Sequence, residues 1–183
     1  LLQVVQTVTD ADGDTGFAAV NVGTGVFQIE DDGPTAANIT RTINEGAAPI
    51  TGNLLTDGPG SFGTDSGYVK SVTANATTYT YNPATDAITF AGGPNNGSFN
   101  SATNVLTIAL TSGASFTIDI DNGSYSYTAP PAVGANISEP IGFTLTDRDG
   151  DTQSATLTVN VNNVDQAPIV ANDHVITLSL IHI

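Results

Sequence analysis

Residues 141–161 read IGFTLTDRDGDTQSATLTVNV, and this stretch decides the fold. Apolar and polar residues alternate on both sides of a short acidic segment, which is the pattern of strands with one buried face. Aspartate and glycine are favoured in tight turns. The stretch therefore predicts a β-hairpin with an acidic turn between its two strands.

The acidic turn occurs twice in the chain. TDADGDT at residues 9–15 returns almost unchanged as TDRDGDT at residues 146–152, 137 positions later. A junction marked by proline follows each copy, and the phrase P-x-x-A-N begins at Pro34 and again at Pro168. Recurrence at a domain-sized spacing indicates a window from a tandem array of similar units.

The two junctions divide the chain. We expect residues 1–33 to form the terminal hairpin of a preceding repeat, residues 34–165 one complete repeat, and residues 166–177 the start of the next. The last six residues, 178–183, depart from the Thr- and Asn-rich style of the rest and match one reading frame of a common sequencing adapter. We interpret them as a read-through scar and exclude them from the fold. The alternative is a genuine apolar strand of the next repeat.

The rest of the chain has strand patterns and almost no helical periodicity. Residues 115–120 alternate strictly, residues 105–110 alternate in part, and clusters of Gly, Pro, Asn and Asp separate such segments. Many short strands between turns of this kind predict an all-β fold, an Ig-like or cadherin-like antiparallel β-sandwich. We expect partial neighbouring repeats at both of its ends.

The composition is strongly acidic. Eighteen Asp and Glu residues against three Lys and Arg give a net charge of −15. The chain therefore lacks the basic patch that binding to nucleic acid or to an anionic membrane requires. Cysteine is absent, which excludes disulfides and thiolate metal ligands. No apolar run approaches the ~20 residues needed to cross a bilayer, so we expect no membrane insertion.

Several segments resemble a known family of repeats. NGSYSYTAP at residues 122–130, the segment at 141–151 and ATLTV at 155–159, closing at a proline junction, resemble the VCBS-type repeat. GNLLTD at residues 52–57 is similar to the motif that opens such repeats. The chain is also similar to Ig-like repeats of the very large bacterial adhesins exported by type I secretion, the RTX adhesins.

That resemblance implies an extender module, secreted or displayed on a bacterial cell surface. Such modules bind calcium at turns and junctions and hold an adhesive tip away from the cell. The implied partners are neighbouring repeats of the same chain, while surface glycans or host cells are contacted through other domains. The glycine-rich nonapeptides of RTX proteins and any adhesive insert are missing from this sequence.

Both acidic turns are candidate calcium sites. Carboxylates at alternate positions of a tight bend can project to one side, and calcium takes roughly 6–8 oxygen ligands in irregular geometry. An EF-hand is excluded, because its twelfth position needs a glutamate and Asn21 or Thr158 stands there. The alternative is an ordinary solvated hairpin turn. The candidate ligands are Asp10, Asp12 and Asp14 in the first turn and Asp147, Asp149 and Asp151 in the second.

The junctions supply a second group of candidate ligands. Three consecutive acids precede the stiff Gly33-Pro34 bend, which suggests a hinge rigidified by metal, and Glu45 could approach it from the following domain. The alternative is a charged linker extended by self-repulsion. The second junction has fewer carboxylates and is the weaker candidate. The residues concerned are Glu30, Asp31, Asp32 and Glu45 at the first junction and Asn163 and Asp165 at the second.

Catalysis is not indicated, so we expect a non-enzymatic spacer stiffened by calcium. His174 is the only histidine outside the last six residues, and no G-x-S-x-G motif occurs.

Two other functions stay open. One is an accessory β-domain of a secreted hydrolase. The other is a module that binds glycans or a host surface through stacking tyrosines, although such pairs are more often half-buried cross-strand partners. These tyrosines are Tyr79, Tyr81, Tyr125 and Tyr127.

Overall fold

The computed structural model describes residues 3–22 and 32–164. All regular secondary structure in these residues is β-strand, which confirms the predicted all-β fold. Residues 166–177 and 178–183, together with Glu30, Asp31 and Asp165, lie outside the described residues. The strands are β1 Gln3–Thr9, β2 Thr15–Asn21, β3 Ile39–Asn44, β4 Ile50–Asn53, β5 Gly67–Ala74, β6 Thr77–Asn82, β7 Ala87–Gly92, β8 Gly97–Asn100, β9 Val105–Ala109, β10 Ser115–Asp119, β11 Ser124–Thr128, β12 Ile137–Asp147 and β13 Thr152–Asn162.

The chain divides into two compact units between Asp32 and Gly33. The first contains one antiparallel hairpin, in which β1 pairs with β2 from Gln3 opposite Asn21 to Thr9 opposite Thr15. Every residue of both strands is exposed. A hairpin of two strands buries too little apolar surface to be stable by itself in water. The described part of this unit, residues 3–22 and Asp32, therefore has regular backbone pairing without buried strand residues.

The second unit is a β-sandwich. Its five-stranded sheet has the order β4-β11-β10-β9-β8, and its six-stranded sheet has the order β3-β13-β12-β5-β6-β7. Alternate residues of the central strands are buried, as the period of two requires. They form one apolar core between the sheets, contributed from one sheet by residues such as Leu106, Ile108, Phe116 and Ile118 and from the other by Val69, Val72, Leu145, Leu157 and Val159.

One strand pair departs from the antiparallel pattern. β3, the first strand of the sandwich, lies parallel to β13, its last strand, with Ile39 opposite Leu157 and Asn44 opposite Asn162. The chain therefore enters beside the start of β13 and leaves beyond its end. The eleven residues of β13 span about 35 Å at ~3.3 Å per residue. Gly33 and Val164, the first and last described residues of this unit, therefore lie at opposite poles of the sandwich.

Candidate metal centre at the acidic turns

The acidic turn of the second unit is built around one carboxylate. Asp147 ends β12, and its backbone N–H donates to the carbonyl oxygen of Asp151 at 3.2 Å. Its Oδ1 accepts hydrogen bonds from the backbone N–H groups of Gly150 at 2.9 Å and Asp151 at 2.8 Å. Gly150 has a φ of 112°, which a residue with a side chain rarely adopts. Aspartate and glycine together therefore set this bend.

The turn of the first unit has the same local construction. The N–H of Asp10 donates to the carbonyl oxygen of Asp14 at 3.0 Å, and Asp10 Oδ1 accepts the N–H of Asp14 at 2.9 Å. Gly13 has a φ of 99°, matching the glycine of the second turn. The two copies differ in exposure, because Asp10 is exposed whereas Asp147 is buried.

Each turn brings its three carboxylates together. In both copies one oxygen from each of the three aspartates lies within 4.8 Å of the others. Calcium binds oxygen at 2.3–2.6 Å, so oxygens on opposite sides of one ion lie up to about 5 Å apart. The spacing therefore fits a single coordination shell. All six predicted turn ligands fall into these two triads, and either triad can hold a metal ion.

Proximity also changes how these acids ionise. The pKa of Asp147 is lowered chiefly by a hydrogen bond with the Asp149 side chain, then by backbone N–H donors, against the opposing effect of burial. The pKa of Asp10 is lowered in the same way, first by Asp12. A hydrogen bond between two carboxyl groups needs a proton on one of them. When both groups are ionised they repel each other, and a cation between them relieves that repulsion.

The chain enters the second unit next to its acidic turn. A Cβ placed on Gly33 would lie 3.5 Å from Asp151 Oδ2 and 3.9 Å from Asp147 Oδ2. Pro34, which follows, is buried. Sequence reasoning treated the junction and the turn as separate candidates, whereas the first residue of this unit runs beside the triad. The junction acid Asp32 is exposed and belongs to the first unit.

Glu45 lies at the opposite pole from Gly33. The expectation that it approaches the first junction is wrong, because parallel pairing carries β3 towards the end of β13. One Glu45 carboxylate oxygen accepts the N–H of Val164 at 3.0 Å, and the other accepts the N–H of Val133. Asn163 lies at this pole too, and its N–H donates to Asn136 Oδ1 at 2.8 Å. Glu45 therefore ties the last described residue of the sandwich to the loop at Val133.

A polar network that sequence reasoning missed links the two sheets. Arg41 on β3 contacts Asp57 with 2.7 Å between Nη2 and Oδ2, and its Nε–H donates to the Tyr125 hydroxyl at 3.1 Å. That hydroxyl donates to Asp57 Oδ2 at 2.6 Å. Burial, followed by the Asp57 carboxylate, raises the pKa of Tyr125 to about 12. Burial would raise the pKa of Asp57, but the bonds from Tyr125 and Arg41 outweigh it and lower that pKa.

The network gives the GNLLTD motif a structural role. Asp57 also accepts the N–H of Asn53 at 3.1 Å, which closes the loop after β4. A Cβ on Gly52 would lie 2.0 Å from Asp57 Oδ2, so only glycine fits beneath the network. The scarcity of basic residues was the available signal, because Arg41 is one of only three Lys and Arg residues in the sequence.

The tyrosines do not form an exposed stacking face. Tyr79, Tyr125 and Tyr127 are buried in the core, and Tyr81 is half-buried. The alternative of half-buried cross-strand partners matches the burial of Tyr81, whereas the other three tyrosines are more deeply buried than it expected. His174 lies outside the described residues. Within the described ranges no helix is long and apolar enough to cross a membrane.

Comparison with known proteins adds no relative. No protein-family model matches the chain, and no curated protein matches it. The geometry of the sandwich and its turns is therefore what indicates a function.

Proposed function

We propose that this chain is a non-enzymatic structural spacer, an extender unit of a large secreted or cell-surface bacterial adhesin. In this proposal calcium binds the acidic turns and stiffens the connection between successive repeats. The observation that supports it most is the parallel pairing of β3 with β13. A unit whose two chain ends lie at opposite poles adds its own length to an array, whereas a unit with adjacent ends adds a side branch.

The position of the second triad supports a role at the junction between repeats. The triad stands at the pole where the chain enters, with Gly33 beside it. At the other pole Glu45 holds the leaving backbone through Val164. Gly33 and Val164, the first and last described residues of the sandwich, therefore each lie beside a carboxylate. A cation at the first pole would restrict the backbone bend there.

The donor set favours calcium among common metals. All six side chains of the triads are carboxylates, which suit hard cations, and histidine and cysteine ligands of the kind that zinc prefers are absent from both. Calcium tolerates the irregular arrangement of a turn, and carbonyl oxygens and water can complete its shell, whereas magnesium demands a near-octahedral site. Asp147, Asp149 and Asp151 would hold the ion in the sandwich.

Calcium binding predicts a measurable gain in stability. An ion that binds only the folded state adds about 2.7 kcal/mol at a concentration one hundred times its Kd. For a unit of this size that gain raises the Tm by roughly 5–11 °C. We expect the full chain to bind calcium in titration calorimetry and to melt at a lower temperature in EGTA.

A pair of variants tests which carboxylates are responsible. Asp149→Asn combined with Asp151→Asn should abolish most of the calcium-dependent rise in Tm, because it removes two charges from the triad. Asp86→Asn is the matched control, since Asp86 is an exposed turn residue outside both triads. An equal rise in all three proteins, or no rise in the wild type, would contradict calcium binding at the triad.

The spacer role has its own test. The gene sequence on either side of this segment should encode a long run of similar acidic repeats. A catalytic domain there would contradict the proposal and favour an accessory domain of a secreted hydrolase. A glycan array probed with the full chain should give no binding, because the core tyrosines offer no exposed platform.

A further inference from the structure

The charge of this chain is distributed unevenly. Residues 87–118 contain no Asp, Glu, Lys, Arg or His, although the whole chain has a net charge of −15. This is the longest uncharged stretch in the sequence. It forms β7, β8 and β9 and most of β10. One side of the sandwich, where β7 and β8 are the outermost strands of their sheets, is therefore built from uncharged residues.

β7 is an edge strand without the usual protection. It pairs with β6, and in the part of the chain that the structure describes no strand lies on its other side. Half of its backbone N–H and C=O groups therefore point away from the sheet. Natural edges are commonly blocked by lysine, proline or an inward-pointing charge. Residues 87–92 read AITFAG and contain none of these.

The core is incompletely covered along this edge. Phe90 stands opposite Tyr79 in the β6–β7 register and lies on the same face of the sheet. Tyr79 is 2% exposed, whereas Phe90 is 52% exposed. Beside them is a cavity of about 140 Å³ whose lining includes Ile88, Phe99 and Leu106. At β7 the core-facing side of the six-stranded sheet is thus only partly covered by the five-stranded sheet.

We propose that the β7 edge docks antiparallel on the β7 edge of a second copy of this chain, so that the six-stranded sheet continues across the pair. Backbone hydrogen bonds would join the two β7 strands. Each Phe90 would cover the partly exposed apolar side chains along the β7 edge of the other copy. Two-fold pairing of identical edges is self-complementary and closes after two copies. This inference concerns lateral contact and stands independently of the spacer and calcium proposals.

Charge is the reason for choosing a second copy as the occupant. Two chains that each have a charge of −15 repel wherever acids come within a Debye length, about 8–10 Å at moderate salt. The longest uncharged segment permits the closest approach with the least repulsion. A cationic partner would instead be drawn to the acidic turns. The uncharged β7 edge therefore fits a partner with the same charge as the chain itself.

The contact between two single chains is expected to be weak. Six residues of β7 give a strand about 20 Å long, so the buried area falls at the low end of specific interfaces. Association should therefore require high micromolar protein. If the unit is repeated in an array, aligned edges would act together and strengthen the contact without any new interaction.

Sedimentation equilibrium of the full chain in EGTA tests the proposal without calcium. We expect a monomer–dimer equilibrium that strengthens as salt screens the acids. Ala91→Glu places a charge on each β7 edge and should raise the dimer Kd at least about tenfold. Thr42→Glu is the matched control, because Thr42 is an exposed residue on β3, the opposite edge of the same sheet. It should change Kd less than about twofold.

Three results would overturn the proposal. The chain could stay monomeric up to about 1 mM, a concentration at which contacts worth ~4 kcal/mol are already half-formed. The two glutamate variants could weaken the dimer equally. Phe17→Ser, on the exposed first hairpin, could abolish association while Ala91→Glu leaves it intact. Thermal melts of all variants would separate loss of pairing from loss of folding.

Discussion

The two acidic hairpins have the same turn in opposite surroundings. Val8 of β1 is 60% exposed, and Leu145, which occupies its repeated position in β12, is fully buried. The same contrast holds for Val20 of β2, 64% exposed, and buried Leu157 of β13. Yet both turns close with the same backbone bond and the same aspartate acceptor.

This comparison separates local from tertiary information. Seven residues are sufficient to specify the turn, because the aspartate side chain, the glycine φ and the flanking threonine pair are all local. They do not supply stability, since a two-stranded ribbon lacks a core. The apolar register of β1 and β2 matches that of a closing hairpin inside a sandwich. The first hairpin therefore has apolar residues at the positions that are buried in the second hairpin, but in the first hairpin these residues are exposed.

The largest expected difference comes from truncating matched apolar positions. Leu145→Ala should lower the free energy of unfolding of the second unit by about 2–5 kcal/mol, because it leaves a cavity in a packed core. Val8→Ala, at the position in β1 that corresponds to Leu145, should lower the same free energy of unfolding by less than about 0.5 kcal/mol. Urea unfolding of the full chain measures both. Similar losses from the two variants would mean that the first hairpin is packed in solution.

A smaller effect is expected from the network between the sheets, which has no counterpart in the first hairpin. Asp57→Asn should lower the free energy of unfolding by about 1–2 kcal/mol, because it weakens two charge-assisted bonds. The loss is no larger because Arg41 is partly solvated. The folded-state pKa of Asp57 is lowered, so its contribution is present above the unfolded pKa of about 4 and disappears as pH falls through the lower folded value.

The pH dependence distinguishes this charge effect from simple packing. Wild-type stability should decrease below pH ~4 partly through Asp57, and Asp57→Asn should make that decrease shallower. Asp86→Asn serves as an exposed control. Equal slopes for wild type and Asp57→Asn in acid denaturation would show that the network contributes nothing through ionisation.

The smallest expected effect tests the turn itself. In EGTA, Asp147→Ala should lower the Tm of the second unit by about 2–4 °C, because two backbone N–H groups lose their acceptor. Asp147→Asn keeps an oxygen acceptor and should cost less, yet both variants should lose the response to calcium. Asp10→Ala should leave that Tm unchanged. If Asp147→Asn lowered the Tm as much as Asp147→Ala, the role of the Asp147 side chain as a hydrogen-bond acceptor would be contradicted.

The sequence was a good guide where the deciding residues are close together. Alternation located β10 and β13, and the turn triads followed from three aspartates within five residues. It failed where contacts depend on topology. A period of two places Tyr79 and Tyr81 on one face but does not say whether that face is covered. Nothing local indicates that β3 runs parallel to β13, and this pairing is what moved Glu45 to the far pole. Arg41, Asp57 and Tyr125 meet only after both sheets have formed.

The parallel pairing of the first and last strands also determines how the sandwich responds to tension. A pull applied at Gly33 and Val164 acts along β3 and β13 in opposite senses, because the chain enters at one pole and leaves at the other. The six paired positions from Ile39 to Asn44 then share the load in shear, and their bonds must break together. A hairpin opened from its free end loses its bonds one at a time and resists far less.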